Sequence, residues 1–577
     1  MVMDPIAHLN PEQKVAATHL DGPCLVLAGP GTGKTATLVA RVAWMIGQAK
    51  IPASQIVVLT FARKAATEIR ERIASQAQVP DPKRLNVGTF HATALFLLRL
   101  VPAAFPDLAD RTLLDEAEAA RIARQACQGL PCDDQDAAER ISGFKDRLLS
   151  PEEARADVRR RGGPDLVSEE AFARGYKIYQ EELNRRKAID FGDLLMGVVS
   201  RLRDPAARGL LEELREGWRY LLIDEYQDLN PAQHALAGLL AGPRDNLWAV
   251  GDDDQAIYGW RHADHKALLD FEGRHRNARI LRLVQNYRST PQVLAAADAL
   301  IRRNVKRFQK TMQATRPAGP PVEILTAPTP EHEGRLVAER IAGLLSQGLR
   351  PCDVAVLART SAFLAPVERA LVRRKIPVRS AGGGFWDQRE VRQALAAILV
   401  RCGFPLPHGL DPAPAWILRR IEERQRGRNF QAVAQLTLSL LEENPPKHLN
   451  EEHKAAWRFH MQQLGEEIRE AGTPDGVLER MRAGRPRGGD TEDAVVLSTI
   501  HAAKGLEWSA VFVIACEEGA LPHARTDDLS EERRLAYVAL TRARNRLVLT
   551  RAEERLRKPQ KPSRFLAEVA SGISRPA

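Results

Sequence analysis

The sequence predicts an α/β protein with two parallel-sheet cores, each interrupted by a mainly helical insertion. Short apolar runs recur along the chain and are followed by polar or glycine-rich turns. Such runs are typical of strands that are buried on both faces of a parallel sheet. Helical patterns, for example over 34–46 and 64–74, lie between or after the runs. This alternation of strand and helix predicts α/β units.

The predicted strands fall into two groups. The first group comprises 24–28, 56–59, 220–223 and 247–250, and the second comprises 354–357, 495–497, 511–514 and 547–549. Two charged stretches with helical patterns and no strand-like run, 95–200 and 396–494, interrupt the groups. The simplest interpretation is two cores with one insertion each, and the alternative is four consecutive domains.

Composition excludes several classes of protein. Over 577 residues, 44% hydrophobic and 27% charged side chains give the balance of a globular protein that needs no disulfide to stabilise its cores. The six cysteines are scattered and form no CxxC pair, which argues against a zinc ribbon or a disulfide framework. Neither a secretory signal nor a membrane-length apolar stretch is visible, so we expect a cytoplasmic protein without a membrane partner. The net charge of +10 is compatible with a polyanionic partner.

A phosphate-binding loop is predicted between the first strand and the first helix. Its residues are Ala28, Gly29, Pro30, Gly31, Thr32, Gly33, Lys34 and Thr35. Glycines allow backbone N–H groups to surround phosphates, and the N-terminus of the following helix adds a positive dipole. In this arrangement Lys34 reaches the β- and γ-phosphates, and the Thr35 hydroxyl binds Mg²⁺. The motif therefore predicts a nucleotide site.

Two adjacent carboxylates follow the predicted strand 220–223. Asp224 and Glu225 stand at the C-terminal end of that strand, which is where α/β sheets bind ligands. Asp224 is predicted to hold Mg²⁺, and Glu225 to orient and deprotonate an attacking water. A solvated acidic loop is the common alternative for such a pair, but together with the phosphate loop the pair indicates nucleotide hydrolysis.

Further motifs stand in a fixed order along the chain. They are 9–13 (LNPEQ), 60–66 (TFARKAA), 88–92 (GTFHA), 190–195 (DFGDLL), 251–261 (GDDDQAIYGWR), 285–289 (QNYRS), 499–507 (TIHAAKGLE) and 531–543 (EERRLAYVALTRA). With these motifs, the phosphate loop and the acidic pair, the chain resembles the superfamily 1A DNA helicases of the UvrD/Rep/PcrA type over nearly its whole length. It departs from them in a shortened second insertion without the Gly-Ile-Gly element by which relatives grip duplex DNA.

The resemblance implies a fold of two RecA-like P-loop NTPase cores, 1A and 2A, with helical insertions 1B and 2B. The implied boundaries are 1–94 and 201–290 for core 1A, 95–200 for 1B, 291–395 and 495–577 for core 2A, and 396–494 for a reduced 2B. It also implies ATP as the nucleotide. Gln13 would read the adenine edge, Tyr287 would stack on the adenine, and Glu507 would hydrogen-bond the ribose.

Three further residues are implied at the γ-phosphate, namely Gln255, Arg288 and Arg542. Phosphoryl transfer depends mainly on positioning and on stabilisation of charge, so arginines supplied by a second core can act as fingers. By the resemblance, Arg288 and Arg542 complete the site only when the two cores close. Hydrolysis then releases them, and this alternation is the motor.

The resemblance also implies a path for single-stranded DNA, lined by Phe61, His91, Tyr258, Trp260 and Arg261. Each base stacked on an aromatic ring contributes roughly 1–3 kcal/mol without regard to sequence. The partners implied are single-stranded DNA and single-strand/duplex junctions, with protein partners unknown.

The function that follows is an ATP- and Mg²⁺-dependent helicase or translocase that moves 3′→5′ on DNA in repair, recombination or replication. One alternative is a single-strand translocase with little unwinding of its own. Another is an ATP-switched DNA-binding subunit of a larger complex. Because the predicted ATP-site and track residues all lie outside 396–494, we expect this insertion to be an accessory region, with a structural brace as the alternative.

Overall fold

Two six-stranded parallel sheets, one in each of two units, form the framework of the chain. The computed structural model describes residues 4–77, 82, 85–132, 136–162, 165–380, 386, 388–405, 410, 415–424, 429–445, 451–483, 493–524, 526, 528–555 and 558–573. The first unit comprises Met1–Tyr287 and Lys306–Thr315, and the second comprises Arg288–Val305 and Arg316–Ala577. The predicted fold class of two parallel α/β cores is confirmed.

The strands of the first unit build one large sheet and two short pairs. They are β1 (Cys24–Ala28), β2 (Ile56–Thr60), β3 (Asn86–Thr89), β4 (Thr112–Leu113), β5 (Ala188–Ile189), β6 (Tyr220–Ile223), β7 (Leu247–Gly251), β8 (Arg279–Leu283), β9 (Gln285–Asn286) and β10 (Gln313–Ala314). The large sheet has the order β3-β2-β6-β7-β1-β8, and its strands are parallel throughout. The pairs β4-β5 and β9-β10 are also parallel.

Helices cover this sheet and form the segment between β3 and β6. They are α1 (Pro11–Thr18), α2 (Lys34–Gly47), α3 (Arg63–Gln76), α4 (Phe90–Leu100), α5 (Pro106–Ala109), α6 (Glu116–Cys127), α7 (Ala137–Asp146), α8 (Pro151–Arg161), α9 (Leu166–Arg185), α10 (Phe191–Arg203), α11 (Arg208–Gly217), α12 (Pro231–Ala241), α13 (His265–Leu269) and α14 (Phe271–Arg274). Asn10 caps α1 through a capping box with Gln13. Throughout the described part of the chain, every helix is too short or too polar to cross a membrane.

The first sheet is buried on both faces. Alternate residues of a strand point to opposite faces. Leu25 and Leu27 of β1 accordingly join the core beneath α4, α10 and α12, whereas Val26 and Ala28 join the core beneath α2 and α3. Double burial is the reason that the central strands are continuous apolar runs.

The second unit repeats this architecture. Its strands are β11 (Glu323–Ala327), β12 (Val354–Ala358), β13 (Val378–Ser380), β14 (Val495–Thr499), β15 (Trp508–Val513), β16 (Ala543–Ala552), β17 (Glu554–Arg555) and β18 (Lys558–Pro559). The large sheet has the order β11-β16-β15-β12-β14-β13 and is parallel. Its helices are α15 (Pro291–Ile301), α16 (Pro330–Ser346), α17 (Ala365–Arg373), α18 (Arg389–Arg401), α19 (Ala415–Arg424), α20 (Phe430–Glu443), α21 (Glu451–Ala471), α22 (Pro474–Ala483), α23 (Leu529–Leu540) and α24 (Arg564–Ile573).

All eight predicted apolar runs lie in or overlap strands of the two large sheets. The four remaining strands, β3, β8, β11 and β13, are the edge strands, and each is only partly buried. Within 95–200, where the sequence shows no strand-like run, β4 pairs with β5 over two residues in each strand. That pair is too short to leave a strand-like pattern.

Helices α18 to α22 share a hydrophobic core with the sheet-bearing part of the second unit. Ala362 and Ala365, which precede and begin α17, belong to the same buried cluster as Leu395 of α18 and Leu464 of α21. Arg369 of α17 also pairs with Glu466 and Glu467 of α21 at 3.2 and 3.3 Å. Residues 382–385, next to this region, and 406–409, 411–414, 425–428, 446–450 and 484–492 within it lie outside the described residues. This packing favours the structural brace over an independent accessory region.

We expect Leu464→Ala to lower the stability of the second unit by about 2–5 kcal/mol, because it opens a cavity in the shared core. Val400→Ala, on the exposed side of α18 (41% exposed), is the control and should change stability by no more than about 0.5 kcal/mol. The measurement is the temperature at which ATP hydrolysis and helical circular dichroism are lost. Hydrolysis that survives above the temperature at which the helices melt would contradict a brace.

Candidate active site

The candidate functional residues of the first unit lie in loops at one edge of its large sheet. The phosphate loop follows β1, the acidic pair follows β6, and Asp252–Gln255 follow β7. Phe61 follows β2, and His91 lies at the start of α4, directly after β3. Because the strands are parallel, their C-terminal ends bring these loops to the same edge, which is where α/β sheets bind ligands.

The phosphate loop has the backbone conformation that its glycines permit. Gly31 and Gly33 have φ of +67° and +82°, values that residues other than glycine rarely adopt. A Cβ on Gly33 would also lie 2.7 Å from Nε2 of Gln13. Helix α2 begins at Lys34, so the N–H groups of its first turn, including that of Thr35, face the loop. A helix N-terminus and a glycine-rich turn in this arrangement are typical of anion sites.

Side chains from two other motifs hold this loop in place. Gln13 donates from Nε2 to the Thr32 carbonyl at 2.8 Å, and Thr32 Oγ1 donates to the Gly29 carbonyl at 2.8 Å. The Asn286 amide donates to the carbonyl of Pro30, and the Tyr287 N–H donates to that of Gly31 at 2.9 Å. The sequence motifs at 9–13 and 285–289 therefore meet at the phosphate loop.

The Tyr287 ring lies in a position that suits base stacking. It is 46% exposed, and its hydroxyl is bonded to Asn10 Nδ2 at 2.8 Å and to Gln285 Oε1 at 3.0 Å. Asn10 also donates to Gln285 Oε1 at 3.3 Å. An exposed ring that is fixed at its hydroxyl can offer a face to a base with little loss of rotamer entropy.

The acidic pair lies next to the phosphate loop. Asp224 is buried, and its Oδ1 accepts from the Glu225 N–H at 3.0 Å. Glu225 has φ of +52°, and its carboxylate lies 3.9 Å from Nζ of Lys34. Burial, and then the neighbouring Glu225, raise the pKa of Asp224 above its usual range. Both causes disfavour the charged carboxylate, and a bound cation would offset them.

The residues present fit Mg²⁺. The two candidate ligands, Asp224 and Thr35, both offer oxygen, which is the donor that Mg²⁺ prefers together with substrate phosphates. A bound cation would also offset the burial that raises the pKa of Asp224.

A hydrogen-bonded chain connects the acidic pair to Gln255. Gln227 donates from Nε2 to Glu225 at 2.5 Å, and its Oε1 accepts from the Asp252 N–H at 3.0 Å. Asp252 in turn accepts from Nε2 of Gln255 at 2.5 Å. The predicted base and the predicted γ-phosphate sensor are thus fixed through one glutamine and one aspartate.

The predicted DNA residues form an aromatic surface that starts three residues after Gln255. Phe61 stacks on Tyr258 with ring centroids 5.6 Å apart, and Tyr258 meets Trp260 edge-on at 6.3 Å. The Arg261 guanidinium lies over the rings of Phe61 and Trp260 at 5.4 and 5.5 Å. Trp260 is 50% exposed, so this cluster is not simply a core.

His91 belongs to a second aromatic contact. Its ring meets that of Phe191 edge-on at 5.9 Å, and Arg63 lies over the Phe191 ring at 6.0 Å. Burial lowers the pKa of His91, so the ring is neutral at physiological pH. An aromatic surface with nearby arginines is the combination by which single strands are bound without sequence preference.

Three predicted site residues belong to the second unit. Arg288 pairs with Glu507 and donates from Nη1 to the Thr541 carbonyl at 3.3 Å. Arg542 is 1% exposed, and its guanidinium donates to the carbonyls of Val538 and Leu506 at 2.9 and 3.1 Å. Arg288 and Glu507 are therefore brought together, and Arg542 is hydrogen-bonded to backbone in α23 and to the carbonyl of the residue that precedes Glu507.

Sequence analysis missed the residues that orient those it found. Asn10 lies inside a recognised motif, and the capping-box signature at 10–13 could have identified it. Gln227 stands two residues after the acidic pair. Arg544, which pairs with Glu507, follows the last motif directly. Gln227 and Arg544 carry no pattern that separates them from ordinary polar loop residues.

Comparison with known proteins identifies relatives over almost the entire chain. The family described as UvrD/REP helicase N-terminal domain matches residues 9–276, and that described as UvrD-like helicase C-terminal domain matches 281–401 and 447–554. ATP-dependent DNA helicase Rep of Escherichia coli (strain K12) is 31% identical over 97% of this chain and 94% of its own length. ATP-dependent DNA helicase PcrA of Leuconostoc citreum is 31% identical over 98% and 86%, and UvrD2 of Mycobacterium tuberculosis (strain ATCC 25618 / H37Rv) is 33% identical over 98% and 82%.

We expect Glu225→Gln to bind nucleotide but to hydrolyse it at least ~100-fold more slowly, the scale for loss of a general base. Binding should persist because the substitution removes a negative charge beside Lys34. The measurements are the single-turnover hydrolysis rate and the Kd for a fluorescent nucleotide, with the exposed Glu272→Gln as control. A rate within a few-fold of the wild type would show that Glu225 is not the base.

Proposed function

The chain belongs to the UvrD/Rep family of helicases and is an ATP-driven DNA helicase, and from this premise we propose that it moves 3′→5′ on single-stranded DNA. The direction rests on the resemblance of its motifs to those of the family. We propose single-strand/duplex junctions as its substrate and DNA repair, recombination or replication as its process. Mg²⁺ is the proposed metal.

The domain assignment remains a proposal as well. Core 1A would comprise 1–94 and 201–290, and core 2A would comprise 291–395 and 495–577. Insertion 1B would be 95–200, and the reduced 2B would be 396–494. The two parallel sheets and the helical segments between β3 and β6 and between β13 and β14 support this division.

The observation that best supports the proposal is the path of the chain over 252–260 in the first unit. Asp252 and Gln255 are hydrogen-bonded through Gln227 to Glu225 of the proposed nucleotide site. Tyr258 and Trp260 belong to the aromatic surface with Phe61. Only two residues separate Gln255 from Tyr258. A change at the γ-phosphate therefore has a direct covalent route to the surface proposed for DNA.

The proposed chemistry assigns each residue one task. Lys34 neutralises the phosphates, Glu225 accepts the proton of the attacking water, and Gln255 contacts the γ-phosphate. When bound by Asp224 and Thr35, Mg²⁺ would neutralise charge on the β- and γ-oxygens. The roles of Arg288 and Arg542 at the γ-phosphate, and of Glu507 at the ribose, rest on the motifs in which they stand.

A second candidate is a translocase that separates strands poorly. It is favoured by the packing of α18–α22 into the core of the second unit, because a segment that braces this core is less suited to act as a separate domain on duplex DNA.

One experiment tests the proposed function and decides between the candidates. ATP hydrolysis is measured with and without single-stranded DNA, followed by strand displacement on duplexes with a 3′ or a 5′ tail. We expect stimulation by single strands and displacement from the 3′-tailed duplex only. Stimulation without displacement would favour the translocase, and displacement from the 5′ tail would contradict the direction.

We expect Trp260→Ala to abolish most of the stimulation by DNA, because a stacked base contributes roughly 1–3 kcal/mol. That contribution corresponds to about a 5- to 150-fold weaker affinity for single strands. Trp260→Phe keeps a ring face and should retain most of the affinity. The measurement is fluorescence anisotropy with labelled oligonucleotides, and an unchanged affinity in Trp260→Ala would show that Trp260 does not touch DNA.

A further inference from the structure

A segment outside the recognised motifs reaches the predicted phosphate sensor. The chain leaves the first unit after Tyr287 and returns to it as Lys306–Thr315. There Gln313 and Ala314 pair with Gln285 and Asn286, the strand that leads into Tyr287. The Met312 side chain lies against Gly29 of the phosphate loop, where an added Cβ would be 2.3 Å from its sulfur.

Two cations of this segment enter a buried acidic cluster formed by Asp252, Asp253 and Asp254. Lys310 is 8% exposed overall, and its Nζ lies 3.0 Å from Asp252 and 2.6 Å from Asp254 and also pairs with Asp253. Arg307 forms two hydrogen bonds to Asp254, at 2.8 and 2.6 Å. Burial lowers the pKa of Lys310, but the three carboxylates outweigh it and raise the pKa overall, so the ammonium remains charged.

The same cluster could be taken for a metal site, because carboxylate oxygens of the three aspartates lie close together. The Lys310 ammonium is within ion-pair distance of all three. The cation of this cluster is therefore a lysine, and the cluster is a fixed structural element.

Asp252 connects the lysine to the sensor. One of its oxygens accepts from Lys310, and the other accepts from Nε2 of Gln255. Its backbone N–H is held by Gln227, which also bonds Glu225. With the carboxylate held by the ammonium, the Gln255 amide keeps one orientation. Oδ1 of Asp252 also accepts from the Asp254 N–H at 3.2 Å, but without the ammonium the buried carboxylate would lose its nearest cation, which favours a turned or protonated carboxylate.

We propose that Lys310 is a positioning residue for ATP hydrolysis, which holds the Gln255 amide through Asp252. This inference rests on the proposed function, in which Gln255 contacts the γ-phosphate. Misplacement of such a group by about 1 Å can cost roughly 100-fold in rate without affecting the binding of the nucleotide base. The signature of a positioning role is therefore a fall in kcat with little change in nucleotide affinity.

The test is Lys310→Met in the full-length chain, with Lys306→Met as matched control, because Lys306 is an exposed lysine of the same segment. We expect kcat of DNA-stimulated hydrolysis to fall about 10-fold or more in Lys310→Met, with the Kd for fluorescent ADP within about 2-fold of the wild type. Lys306→Met should match the wild type in both. In a Gln255→Ala background, Lys310→Met should cost less than about 2-fold further, because both changes remove the same contact.

Three results would overturn the inference. The first is an unchanged kcat in Lys310→Met, and the second is a fall in kcat accompanied by an equal loss of ADP affinity. The third is a double variant whose fall in kcat equals the product of the falls caused by Lys310→Met and by Gln255→Ala alone. If circular dichroism shows that Lys310→Met does not fold, the double variant Lys310→Met with Asp253→Asn is used, because it keeps the net charge of the cluster at its wild-type value. It is measured against Asp253→Asn in the same way. A wild-type chain that hydrolyses no ATP refutes the proposed function and this inference together, whereas wild-type activity with an unchanged Lys310→Met rate refutes the inference alone.

Discussion

The common direction of the strands in the first sheet is the constraint on which the candidate site depends. Because β1, β2, β6 and β7 are parallel neighbours or near neighbours, the loops that follow them share one edge. Four separate stretches of sequence meet at that edge. They form the phosphate loop, the acidic pair, the predicted γ-phosphate sensor Gln255 and the aromatic surface. Burial on both faces holds the strands in register, so the edge is rigid before any ligand binds.

Two groups of acidic residues at this edge of the sheet differ in the cations that lie beside them. Asp252, Asp253 and Asp254 form ion pairs within the fold with Lys310 and Arg307. Asp224 and Glu225 share the more distant Lys34, and the pKa of Asp224 is raised. In the first group, burial raises the pKa of Asp252 but Lys310 outweighs it, whereas burial raises the pKa of Asp253 to about 6. The second is left short of positive charge, which is the condition that favours uptake of a cation together with a nucleotide.

The central strands and the motif residues can be predicted from the sequence. Contacts between residues that are distant in sequence cannot, because no local pattern marks them. Runs such as 24–28 and 354–357 are buried on both faces and are therefore apolar throughout. The edge strand β8 reads Arg-Ile-Leu-Arg-Leu, because a half-exposed strand tolerates charge. Lys34, Asp224 and Glu225 were identified because their chemistry requires fixed neighbours. Lys310 could not be identified, since its partners are distant in sequence and a lone lysine usually lies on the surface.

Because Lys306–Thr315 belong to the first unit, no single cut in the chain separates the two units. The chain passes from one unit to the other after Tyr287, after Val305 and after Thr315. A fragment that ends at Tyr287 would lack β10 and would bury three aspartates without their lysine and arginine. The two units therefore alternate along the chain. A recombination event that exchanges the first unit between homologues must carry the ten residues Lys306–Thr315 as well as Met1–Tyr287.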